Sequence, residues 1–120
     1  MVDPASIPSL VPLFAPYCGG VGRERELKEA LSLLATGQFR GSRPLSDGGS
    51  HAFEFSWSGE PAPLEALVCQ LRFPDLPSVG YDFRLPCHQL VLWLMEARGT
   101  GLPESFWPWL LQGRLAPAAP

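Results

Sequence analysis

The sequence predicts an α+β domain: an N-terminal amphipathic helix, a three-stranded antiparallel sheet and two C-terminal helices packed on one face. Three observations carry this expectation. Leu27, Ala30, Leu31 and Leu34 recur at helical spacing and form one stripe. Residues 51–58 alternate instead, setting Phe53, Phe55 and Trp57 against Ala52, Glu54 and Ser56, as in a half-buried strand. From Leu90 to Met95 every residue is apolar, directly after a Pro86 suited to a helix's first position. Strands grouped between helices, not alternating with them, indicate α+β layering.

Taken in order, residues 1–20 carry Pro4, Pro8, Pro12 and Pro16, which oppose a long helix and leave room for one short turn at Ser9–Phe14. Their apolar residues predict a segment packed on the body. A single α+β domain then spans 21–113, and 114–120 form a flexible tail. The first helix covers 22–36. Gly37 follows it, where a left-handed residue ends a helix at little cost. The Gly-, Ser- and Pro-rich stretch 37–50 reads as a loop, without the spacing of a phosphate-binding motif.

Three strands follow, at 51–58, 64–73 and 81–85, with a short helix at 63–70 as the competing reading of the second. The next helix is expected from Pro86 to about Arg98, stopping at Gly99; residues 102–113, with Pro103 at the start and Gly113 at the end, read as a last helix or as two short turns split at Pro108. This order of elements resembles that of ubiquitin-conjugating-like and RWD modules and of some secretion chaperones. No motif is shared with them, so the resemblance implies no function.

Composition limits the function classes. Apolar residues make up 46% and charged residues 18%, enough apolar material for a packed core. The nine basic residues are scattered among twelve acidic ones and the net charge is −3, so the basic stripe of a nucleic-acid binder is missing. No run approaches the roughly 20 apolar residues of a membrane span. Three cysteines without CxxC spacing do not form a disulfide framework, which suits a reducing cytoplasm. The absence of Asn and the scarcity of Lys and Ile, against 14 Pro, suggest a GC-rich and hence bacterial source.

Chemistry-bearing residues are few. Cys18, His51, Cys69, Cys87 and His88 lack the paired short spacing of a zinc site, so no metal and no cofactor are expected. Cys87 at a helix start is the reactive-thiol candidate, because the helix dipole can favour a thiolate there. His88 does not face it, since consecutive helical residues point about 100° apart. Cysteine is also a common core residue, and packing is the expected role of Cys87.

The expected function is that of a small non-enzymatic protein-binding module (adaptor, chaperone or immunity-type) acting through an aromatic surface. Trp93, Phe106, Trp107 and Trp109 are its candidate contacts, with a protein partner or with a second copy in a homodimer. The competing reading places the same rings in the core of a monomer. A different class, a thiol-dependent enzyme or redox sensor using Cys87, is the alternative.

Overall fold

The computed structural model of the chain describes residues 4–18, 22–44, 48–97, 101–102 and 106–115. A 3₁₀ turn at Pro4–Ser6 leads into α1 (Ile7–Phe14), followed by α2 (Glu24–Thr36). Four strands come next: β1 (Gln38–Pro44), β2 (Ser50–Ser58), β3 (Ala66–Arg72) and β4 (Gly80–Pro86). Two helices, α3 (Cys87–Glu96) and α4 (Phe106–Leu115), close the order. The strands form one antiparallel meander in the order β1-β2-β3-β4.

Register puts the apolar set on one face. Phe39 of β1 faces Phe55 of β2, which faces Leu71 of β3, which faces Tyr81 of β4. Trp57, Cys69 and Phe83 make a parallel row. Phe53, Phe55 and Trp57 are all buried, as the alternation predicts. The opposite face is mostly polar, with Val68 its large exposed apolar residue, and carries exposed ion pairs, Arg40–Glu54 at 3.7 Å and Arg72–Asp82 at 2.8 Å. Such pairs contribute at most about 1 kcal/mol each.

Because only one face is apolar, the helices share it. α2 packs against both α1 and α3, burying Leu27, Ala30, Leu31 and Leu34. Its end is tied to the sheet by a compact set of bonds. Gly37, at φ 78°, turns the chain out of the helix, and its N–H donates to the Leu34 carbonyl at 3.2 Å. The Trp57 indole N–H donates to the same carbonyl at 3.0 Å, and the Trp57 backbone N–H donates to Gly37 O at 3.0 Å. One core tryptophan thus accepts the helix end and fixes where β1 begins.

The sheet has four strands, not three. Residues 38–44, expected as loop, form the extra edge strand β1. Gly41, Pro44 and the polar residues hide it from a propensity reading, and Phe39 is its buried hydrophobic anchor. Pro44 lies at the end of an edge strand, where a missing donor is tolerated.

The N-terminal segment forms no long helix and lies on the body, with Leu10 and Phe14 buried, but its helix begins two residues before the short turn expected at Ser9–Phe14. α1 is a regular two-turn helix despite its prolines. Pro8 lies in its first turn, where the missing N–H is no loss, and burial of Leu10 and Phe14 offsets the bond that Pro12 removes. The helix stop expected at Gly99, the start expected at Pro103 and residues 116–120 of the expected tail lie outside the described residues. Residues 114 and 115, assigned to that tail by sequence, end α4.

Replacing Trp57 by Phe keeps the apolar ring and removes the bond to Leu34 O. A loss of about 1–2 kcal/mol in urea unfolding is expected. A larger loss, about 3–5 kcal/mol, is expected for Trp57→Ala.

Candidate interaction surface

Four aromatic side chains were the candidates for a partner contact. Phe106 is fully buried and lies 5.5 Å from Phe55, 4.9 Å from Trp93 and 5.0 Å from Trp107, centroid to centroid. Trp107 stands edge-on to Phe53 at 5.3 Å, and the Arg43 guanidinium sits 5.0 Å from its ring centroid. Trp93, Phe106 and Trp107 therefore lie in the chain's own core, because α4 lies over the aromatic face of the sheet. Trp109 differs. It packs on Trp93 at 4.9 Å and Phe83 at 5.8 Å but keeps 36% of its surface exposed.

The Cys87-His88 pair opens α3 directly from the end of β4. The N–H of Cys87 donates to Glu65 O at 2.8 Å, and the N–H of His88 donates to Pro63 O at 2.9 Å. First-turn donors that could have favoured an anion are thus held by the loop before β3. Cys87 is fully buried, and burial pushes its thiol up to about 12, with the neighbouring Cys18 adding to the rise and a bond with the Ala62 backbone opposing it. The thiolate reading requires a lowered value. Cys69 is pushed up to about 12, first by burial and then by Cys87. Cys18 is pushed up to about 11 by burial, against the pull of Arg23.

His88 does a different job. Its Nδ1 lies 2.9 Å from Pro63 O. A carbonyl can only accept, so this nitrogen carries the proton. The Tyr17 ring packs on the imidazole at a tilt, 5.4 Å between centroids. The Cys18 thiol points at the His88 carbonyl, 3.6 Å away. Residues from the end of α1, the 63–65 loop and the first turn of α3 are thereby locked together.

Apolar side chains of α1, of the turn after it and of the loop before β3 face solvent. Leu64 is 67% exposed, Leu13 54% and Tyr17 41%. Leu64 follows the doubly bonded Pro63 carbonyl, and Leu13 lies one turn before Tyr17. Isolated exposed leucines are ordinary, but apolar side chains displayed around a rigid loop are a recognised form of interaction surface. Sequence reading overlooked them. The available signal was Leu64 itself, a large apolar residue set between Pro63 and Glu65 in a turn.

Among the described residues, no group of three or more His, Cys, Asp or Glu is placed to hold a metal ion. Among them, too, no helix is long and apolar enough to cross a membrane.

The fold and surface define a small α+β domain with helices on one face of an antiparallel meander and apolar side chains shown beside a pinned loop. Residues 3–114 match the family described as "Type IV pilus, essential for biofilm suppression A-like", and the chain belongs to that family. No curated protein matches the sequence.

All three thiols are expected to resist a thiol reagent at neutral pH in the folded chain and to react together on unfolding. The sign of the pH dependence follows from the raised values. Below the ordinary thiol range near 9 both states hold their protons and stability is flat; above it the unfolded chain ionises first. Stability is therefore expected to fall from about pH 9 upward, measured by urea unfolding, and Cys69→Ser with Cys87→Ser is expected to flatten that fall.

Proposed function

We propose that the chain is a non-enzymatic, protein-binding component of a type IV pilus system, and that Leu13, Tyr17 and Leu64 form the surface through which it binds. The observation that carries this reading is Leu64, held out into solvent on a loop whose neighbouring carbonyls are bonded to the first turn of α3. A loop already fixed loses little conformational entropy on docking, which favours affinity per unit of contact area. Family membership supports the pilus setting. A cytoplasmic location belongs to the same reading and is supported by three free thiols.

Self-association as a homodimer is the second reading. It is favoured by Trp109, the member of the aromatic set that keeps a solvent face, beside a half-buried Phe83.

The test replaces Leu64 and Leu13, the two most exposed members of the surface, by Asp in a host whose own copy is deleted. Loss of surface pili and of biofilm suppression is expected, with protein level and melting temperature unchanged. Normal pili at normal protein level would remove this surface from the proposal. Sedimentation of the wild type and Trp109→Glu decides the homodimer: a wild-type dimer that Trp109→Glu splits supports it, and a wild-type monomer at micromolar concentration ends it.

A further inference from the structure

Two residues past Leu64 the chain enters β3, whose Ala66, Val68, Gln70 and Arg72 lie on the sheet face away from the helices. That face divides in two. Around Arg72 it is charged and internally balanced: Arg40 has Glu54 at 3.7 Å, and Arg72 has Asp82 at 2.8 Å. At the end nearer Leu64 it turns apolar. Val68 is 45% exposed, and Ala66 and Pro86 stand abreast of each other, both exposed. Arg84 stands abreast of Val68 on the neighbouring strand. It is exposed and, among the described residues, the one arginine of this face in no ion pair. The carboxylate nearest along its own strand, Asp82, is the one already bonded to Arg72.

A cation set beside exposed apolar side chains, on a face whose other arginines are matched, is complementary to a carboxylate. We propose that the Leu64 surface extends onto this end of the sheet and that the partner segment it binds is acidic, with apolar side chains on Leu64 and Val68 and an Asp or Glu carboxylate on Arg84. The inference rests on the reading of Leu64 as a partner contact and adds the charge of the partner. An arginine fork takes a carboxylate through two parallel bonds, so Arg84 would fix the segment's position as well as its sign. The charge also selects among occupants. A second copy docked on the same patch about a two-fold axis would bring Arg84 toward its own counterpart. Nucleic acids and anionic lipid surfaces draw on several cations, and this patch offers one.

The test replaces Val68, and in a separate variant Leu13, by the photoreactive p-benzoylphenylalanine in the full chain, in a host whose own copy is deleted. Both positions are exposed, so the fold is kept. Illumination is expected to join position 68 to a segment of another protein in which mass mapping finds Asp or Glu among apolar residues. Arg84→Glu is expected to cut that cross-link about tenfold at unchanged protein level, because like charges then meet. Changing the mapped carboxylate to Lys is expected to restore the cross-link in the Arg84→Glu background and to weaken it in the wild type. A mapped segment without a carboxylate, a cross-link indifferent to Arg84→Glu, or one made within the chain or to a second copy would overturn the proposal. So would a cross-link from position 13 with none from position 68, which would leave the surface of Leu13, Tyr17 and Leu64 standing without its extension. Silence at both positions would remove the surface and the extension together.

Discussion

The aromatic cluster centred on Phe106 is the constraint on which the rest of the structure depends. Its ring lies within 5.5 Å of Phe55 on the inner strand β2 and of Trp93 on α3, and it meets its own neighbour Trp107 edge-on. Through it the last helix, the penultimate helix and the sheet become one hydrophobic unit. A sheet with a single apolar face must bury that face against helices, and here the side chains that do so are large. Rings of this size each remove about 150–250 Å² from water, so a few of them outweigh many smaller contacts. Trp57 adds the polar counterpart, seating the end of α2 on the sheet through Leu34 O.

Much of this was legible in the residues, for definite reasons. Trp57, Phe55 and Phe53 alternate with small or polar residues, and a period of two has no other common explanation. Leu27 to Leu34 carry a helical stripe followed by Gly37. The apolar run Leu90–Met95 signalled a helix covered on most sides, and all but half-buried Leu92 are buried. Strand β1 was not legible, because its residues take their conformation from Phe53, Phe55 and their neighbours across the ladder and not from their own propensities. α1 was legible in part: the prolines opposed a long helix and left one short turn at Ser9–Phe14, whereas Pro8, tolerated in a first turn, lets the helix begin at Ile7.

The candidate surface was harder to read than the fold. Aromatic density at the C-terminus suggested a contact zone, but composition does not say whether a ring faces inward. Trp107 and Trp109 are two residues apart, yet one is buried against Phe53 and the other keeps a solvent face. The Leu64 surface depends on bonds between Pro63, Glu65 and the first turn of α3, contacts that join residues more than 20 positions apart. Those bonds also account for the thiol chemistry. By holding the N–H groups of Cys87 and His88, the loop closes the helix start that would have activated a cysteine, and burial does the rest.

The central claim is that the tryptophans of this chain are core residues with one partial exception. It can be tested directly by labelling the chain with 5-fluorotryptophan and recording ¹⁹F spectra while a soluble paramagnetic agent is added. The resonance of Trp109 should broaden well before those of Trp57, Trp93 and Trp107, which stay close to their starting widths. Broadening of Trp93 or Trp107 to the same degree as Trp109 would contradict the account and return the C-terminal rings to the surface.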